Sequence, residues 1–272
     1  MAAGALINAA PLALALHPRM EHNPGVNSIP RMIYEDGFLL VIDKPAGMPS
    51  VSLKAGEENT LAAWVLARFP DQVNIGDGMR EAGLVHRLDN DTSGLVVAAR
   101  SPDAFEALKA QFREGTATKE YTALVLGNPP NSGEIEAPIA HHPRKKKKMV
   151  VCVSMREAEE LKARPAHTEY RTAERFALQR EGARARYALL HLKISTGLRH
   201  QIRLHLASIG HPIAGDALYQ NPRMRAADKL SLSRHFLHAS KIAFLHPEDG
   251  RRVEFESPLP EDLAEAISLF QL

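Results

Sequence analysis

Between two apolar stretches the chain carries His86-Arg87-Leu88-Asp89-Asn90-Asp91-Thr92-Ser93-Gly94, its densest run of side chains able to hold or move charge. Loops held by a rigid scaffold are where such groups usually work. Asp91, Thr92 and Ser93 ahead of Gly94 suit a turn in which short polar side chains bond nearby backbone amides. That turn gives Arg87 and Asp89 no structural task. A second polar group is Arg199-His200-Gln201-Ile202-Arg203-Leu204-His205. On a helix, Arg199 and Arg203 are four apart and His200 and Arg203 three apart, which gathers cations at the start of one face. Ile202, Leu206 and Ile209 would bury the same helix, leaving Arg203 at the rim of the core and in need of a carboxylate. Asp89 is the candidate partner. The third group, Arg144-Lys145-Lys146-Lys147-Lys148, is five adjacent cations. A charge run is usually only solvated. In a chain with 34 Lys and Arg against 32 Asp and Glu, net +2, it is nevertheless the place for phosphates to land.

Other chemistries find little support. His200 and His205 are five apart, so they do not share a helix face as HExxH histidines do, and no glutamate follows His200. Ser93 lacks the GxSxG surroundings of a hydrolase nucleophile. Cys152 lies in the apolar run Met149 to Val153 and reads as an inert core thiol. As the single cysteine it makes no intramolecular disulfide, which suits a reducing, cytoplasmic setting. Neither a Walker A motif nor GxGxxG is present. The apolar stretch Ala2 to Leu16, broken by Asn8 and Pro11, is too short to span a membrane and has no charged leader.

At 272 residues, with 44% hydrophobic and 24% charged, the chain is long enough for a real core and ordinary enough to fold. Residues 1–31 read as a flexible tail and 32–272 as one domain. Asp36-Gly37 between Ile33-Tyr34-Glu35 and Phe38 to Ile42 predicts a hairpin, ended by Lys44-Pro45-Ala46-Gly47. Asn59-Thr60 is placed to cap a helix carrying Leu61, Trp64, Val65 and Arg68, stopped by Pro70. Leu95 to Ala99 is a buried-strand candidate. Ser101-Pro102 starts a helix with Phe105, Leu108 and Phe112 on one face and Gly115 as its stop. Thr118 to Leu126 alternates as a strand with one packed face. Glu169 to Phe176 pairs with Tyr187 to Ile194, and a helix over Arg199 to Ile209 stops at Gly210. Phe236 to Phe244 and Arg252 to Phe255 are late strands, and Asp262 to Phe270 a final amphipathic helix. Met155 to Arg164 reads as a loop or short helix. Strands outnumber helices and do not alternate with them, so the fold class is α+β, with a central mixed, largely antiparallel sheet and flanking helices.

Taken together, these residues resemble the RluA-type pseudouridine synthases. His86-Arg87-Leu88-Asp89 with Thr92-Ser93-Gly94 is similar to that family's HRLDxxTSG signature. Around it, in the family's order, stand Lys44-Pro45 with Gly47, Lys119-Glu120-Tyr121-Thr122-Ala123, His200-Gln201-Ile202-Arg203, Gly215-Asp216 with Tyr219, and Leu237-His238-Ala239. One departure is Leu198, which stands where the family usually has Arg.

The resemblance implies isomerisation of uridine to pseudouridine in RNA, in an RNA-binding cleft and with no cofactor or metal. Carried over, Asp89 is the nucleophile, Tyr121 stacks on the target base, and Arg203 is the ion-pair partner of Asp89. Arg87 enters the space left by the flipped base and Leu237 is an apolar wall. His86, Arg199 and Arg144 to Lys148 complete the expected RNA contacts. The chemistry fits, because a free Asp of pKa about 3.9 is pushed toward neutrality by burial unless a cation offsets it. The expected partner is a stem-loop of rRNA, 23S foremost, or of tRNA, with no membrane and no obligate protein partner, the chain acting as a monomer. Many relatives carry an N-terminal S4 module, which about 31 residues cannot hold, so substrate selection is expected to rest on the catalytic domain. The rival readings are a non-catalytic RNA-binding or ribosome-assembly factor on the same scaffold, and a metal-dependent RNA hydrolase using the His200 region.

Overall fold

A computed structural model describes residues 29–52, 58–78, 81–180 and 183–270. Residues 1–28 of the expected tail lie outside them. The strands are β1 (Arg31–Glu35), β2 (Leu39–Lys44), β3 (Ser93–Ala99), β4 (Thr118–Leu126), β5 (Ser132–Glu136), β6 (Ile139–His141), β7 (Met149–Val151), β8 (His167–Arg180), β9 (Ala183–Ile194), β10 (Leu237–Leu245) and β11 (Arg252–Glu256). The helices are α1 (Leu61–Arg68), α2 (Pro102–Glu114), α3 (Met155–Glu160), α4 (Gln201–Ser208), α5 (Pro222–Ala227) and α6 (Glu261–Ser268), with a 3-10 turn at Pro70–Asn74.

The main sheet runs β1-β2-β3-β10-β4-β9-β8-β5, with β11 added to β10. Among these strands β3 and β10 run parallel and every other pairing is antiparallel. The architecture is therefore the expected α+β mixed sheet. Local rules set its pieces. The Asp36 carboxylate accepts from the N–H groups of Phe38 and Leu39 at 2.8 and 2.9 Å, turning β1 into β2. Thr60 and Ser101 accept from Ala63 N and Ala104 N to start α1 and α2, and Gly115 ends α2 at φ +74°.

Alternate residues of the central strands serve two cores. Leu40, Ile42, Val96 and Ala98 pack with β4, β9 and α4 on one face. Leu39, Val41, Leu95 and Val97 pack under Phe105, Leu108 and Phe112 of α2 on the other. β4 departs from the single packed face expected of it: Tyr121 through Leu126 are all buried, because helices or loops cover both sides of the sheet centre.

Two further expectations are corrected. The helix over Arg199 to Ile209 starts only at Gln201, since His200 sits before it in the left-handed region at φ +57°. Arg199 therefore shares no helix face with Arg203, and Ile209, beyond the last turn, is 38% exposed. Gln201 through Leu206 are all buried, so α4 is solvated only at its last turn, where Ser208 is exposed. The Thr92 and Ser93 side chains do not bond local amides but reach across to His235 and His238. Strand β5, the β6–β7 hairpin and α5 carry no periodicity long enough to announce them, and Met155–Glu160 settles as the short helix α3.

Candidate active site

The loop before β3 is held from every side. Lys44, fully buried at the end of β2, donates to the carbonyls of Pro45, Met48 and Asn90 at 2.8, 2.8 and 3.0 Å. Burial pulls its pKa down to about 7, with the charge of Arg234 adding to that pull, while nearby aspartates oppose it. Ser50 accepts from Leu88 N and donates to Leu88 O. Thr92 bonds His235 at 2.8 Å, and Ser93 bonds His238 at 3.0 Å. Arg234 donates to Asp91 O and Ser93 Oγ, and is itself anchored by Asp262 of α6 at 2.6 Å. Burial holds His235 neutral, with its pKa near 3. Gly94 is required here: its φ is +118°, and a Cβ would lie 2.2 Å from Ala239 O where β3 meets β10.

This frame presents Asp89 to Arg203. Arg203 Nη1 donates to Asp89 Oδ2 at 3.0 Å. Its other two donors, Nε and Nη2, take both oxygens of the fully buried Asp216 at 2.7 and 2.9 Å. Asp216 Oδ1 also accepts from Leu218 N and Tyr219 N, so the carboxylate that aims Arg203 is itself fixed. Burial works to raise the Asp216 pKa, but the hydrogen bonds and charge of Arg203 outweigh it and hold the group below the ordinary value.

His200 stands on the other side of Asp89, with Nε2 at 3.9 Å from Oδ2. Met149 N donates to Tyr219 Oη at 3.0 Å, and the same oxygen lies 2.9 Å from His200 Nδ1. With the hydroxyl as donor, the imidazole accepts at Nδ1 and carries its hydrogen on Nε2, facing the Asp89 carboxylate. Burial lowers the His200 pKa to about 4 even though the charge of Asp89 pulls the other way, so the ring is neutral at pH 7.

A pocket of about 60 Å³ opens over this group, lined by Arg87, Asp89, Tyr121, His200, Arg203 and Leu237. Tyr121 is 7% exposed, and among the described residues its hydroxyl has no hydrogen-bond partner. Burial, and then the charge of Asp89, push its pKa up, so it stays a phenol. Arg87 is exposed at the mouth.

The remaining expected contacts fall elsewhere. His86 Nε2 accepts from Val97 N at 3.1 Å, its ring stacks on Phe112, and burial together with Lys119 lowers its pKa to about 3. It is a brace of the loop. Arg199 is exposed and does not line the pocket. Arg144 to Lys148 form the turn between β6 and β7, where His142 Nδ1 accepts from Arg144 N and Lys145 N. Lys148 Nζ reaches 5.7 Å from the ring centre of Tyr219, the residue that bonds His200. Leu198 joins a small apolar cluster with Ile139, Met149 and Leu204.

Sequence patterns alone give Asp216, Tyr219 and Lys44 no task at the site, and set His200 beside Arg203 without showing that it faces Asp89. The signal for Asp216 is its place after Gly215, which turns at φ +74° against Arg234 O. Of the two carboxylates bound to Arg203, Asp89 lines the pocket and Asp216 lies behind it. The clusters Glu134, Glu136, His167 and His246, Glu248, Asp249 contain no pocket residue.

The family profile described as RNA pseudouridylate synthase matches residues 38–208, and the chain belongs to that family. It is 38% identical over 237 residues to the ribosomal large subunit pseudouridine synthase D of Nitrosomonas europaea, covering 86% of this chain and 63% of that protein. With the synthase D of Zymomonas mobilis it shares 32% over 249 residues, covering 90% and 74% respectively. An uncharacterized RNA pseudouridine synthase of Chloroflexus aurantiacus is 43% identical over 221 residues, covering 81% and 63%. The chain thus spans under two thirds of the length of two of these relatives. Among solved structures, human RNA pseudouridylate synthase domain containing 1 superposes with a TM-score of 0.67 at 25% identity, covering 89% of each chain.

Proposed function

We propose that residues 32–272 form the catalytic domain of an RNA pseudouridine synthase acting on structured RNA, foremost that of the large ribosomal subunit. The observation that carries this reading is a single carboxylate, Asp89, aimed by an arginine whose other donors are fixed by a second, buried carboxylate. Isomerisation breaks the bond from ribose C1′ to uracil N1, turns the base and joins C1′ to C5, with the C5 hydrogen leaving as a proton and N1 taking a proton up. Atoms and electrons balance within one nucleotide. The protein must supply an oriented carboxylate and a water-poor pocket, whether Asp89 adds to C1′ or the reaction passes through a glycal. Arg203 supplies the orientation. Tyr121 offers a ring to stack on the base and a hydroxyl to relay the C5 proton, Leu237 walls the pocket, and Arg87 fills the space that the uridine leaves. Extruding the uridine costs a few kcal/mol and favours a loop over a duplex. A cytoplasmic site of action follows from that substrate.

Among the described residues no helix is long and apolar enough to cross a membrane. The test is to incubate the protein with total RNA from a strain lacking its gene, without added metal, and to map pseudouridine by carbodiimide adducts that stop reverse transcription. A new stop in intact large-subunit rRNA supports the proposal. Binding with no new stop points to an assembly factor, and strand cleavage to a hydrolase.

A further inference from the structure

Beside the Asp89 pocket lies a larger cavity of about 400 Å³, which shares Arg87, Tyr121, Gly197 and Leu198 with it. Five cations line it: Arg87, Lys109, Arg113, Lys119 and Arg164. Lys109 is answered by Asp77, and Arg113 by Glu114. Lys119 is different. It is 6% exposed, and among the described residues no carboxylate or carbonyl accepts from its ammonium, whose nearest aromatic ring is Phe112 at 5.8 Å. A lysine this largely buried with no protein acceptor is costly, and such groups are normally paired. An acceptor has a way in, because Gly197 has no side chain to cover Nζ: a Cβ built there would sit 3.6 Å from it.

Position along β4 indicates what the acceptor is. Lys119 and Tyr121 are two residues apart on the same face of the strand, so their side chains stand about 7 Å apart. That is the reach of one nucleotide along an extended strand. We propose that this cavity is a phosphate subsite, with Lys119 as its central cation, which holds the RNA phosphodiester adjoining the uridine at Asp89. The inference rests on the proposed function and adds a backbone contact that fixes which nucleotide faces the carboxylate. Burial has lowered the Lys119 pKa to about 8, so the contribution of this one cation weakens as pH rises past that value, beside the other four cations and the Asp77 and Glu81 carboxylates that line the cavity.

The test uses the full chain carrying Asp89→Asn and a nonaribonucleotide with one central uridine among cytidines. Each linkage in turn is made a neutral methylphosphonate, and affinity is read by fluorescence anisotropy at pH 7. One neutral linkage beside the uridine should weaken binding about tenfold. Lys119→Met should weaken binding by a similar factor and show no further loss at that linkage. Gly197→Val, which covers Nζ from outside and leaves the lysine in place, should give the same insensitivity if Lys119→Met fails to fold. Equal and additive losses, or no linkage that matters, overturn the subsite. Release of C5 hydrogen from RNA by the chain with Asp89 intact is scored separately. Release with additive losses removes the subsite alone, whereas non-additive losses without release keep the subsite and remove the isomerase reading.

Discussion

Asp216 grips Arg203 through two hydrogen bonds of 2.7 and 2.9 Å and leaves its third nitrogen, Nη1, to donate to Asp89 at 3.0 Å. The geometry of Asp89 is thus set by a residue that never faces the pocket. Arg203→Lys keeps the charge but has no planar fork to divide between two carboxylates, so turnover should fall about a hundredfold. Asp216→Asn should destabilise the fold by about 3 kcal/mol, because it leaves a buried guanidinium short of a partner. The sign with pH follows from the lowered native pKa of Asp216: its contribution is complete above the unfolded value of about 3.9 and is lost as pH falls below it. Denaturant melts between pH 3 and 7 should show a flatter acid limb in Asp216→Asn. An unchanged acid limb, with turnover intact, would remove Asp216 from this role.

His200 faces Asp89 and is held from its other side by Tyr219. Tyr219→Phe removes the hydrogen-bond partner of His200 and the acceptor of Met149 N–H together, at about 1 kcal/mol of stability for each bond. Turnover should drop about tenfold with KM little changed. The His200 pKa near 4 means that the parent rate shows no histidine inflection between pH 5.5 and 7.5. An inflection in that window that disappears in His200→Gln would contradict a neutral His200.

Tyr121→Phe preserves the stacking ring and deletes a hydroxyl that no described residue occupies. RNA affinity should hold within about twofold while turnover falls at least tenfold. Unchanged turnover would leave Tyr121 as a platform only.

Neutralising Lys145, Lys146 and Lys147, which are exposed on the β6–β7 turn, should weaken binding to cognate and unrelated RNA alike. The slope of log affinity against log salt should become shallower by about 2, since each single-strand phosphate no longer neutralised by a lysine takes away roughly 0.7. Lys148 is left out of this set because it leans on Tyr219. A fixed slope with a changed modification site would make the turn part of site selection.

Legibility followed the range of the interactions involved. The Asp36-Gly37 hairpin and α2, with its Ser101, Pro102 and Gly115 punctuation, rest on contacts within a few residues and could be read directly. The Asp89 to Arg203 pairing, 114 residues apart, was legible only because a buried arginine demands a carboxylate. That same demand could not show that Asp216, 13 residues from Arg203, takes two of the three donors. Helix periodicity misplaced the start of α4, because the left-handed turn at His200 is imposed by neighbours and not by local propensity. Ser93 and His238, 145 residues apart, meet because β3 and β10 run side by side, a pairing no local pattern specifies. His86 shows the reverse case: its place in a charged run suggested chemistry, while its ring closes a bond to Val97 N.

The central claim is that Asp89 carries the isomerisation. When C5 of the uracil bonds to ribose C1′, its hydrogen must leave, so RNA labelled with tritium at C5 of uridine releases label to water in step with each turnover. With large-subunit RNA as substrate, the parent chain should release label and Asp89→Asn should lower the rate at least a thousandfold, with RNA binding and thermal stability kept. Asp91→Asn, one turn position away, should stay within about tenfold of the parent. Comparable release by the parent and Asp89→Asn would contradict the account.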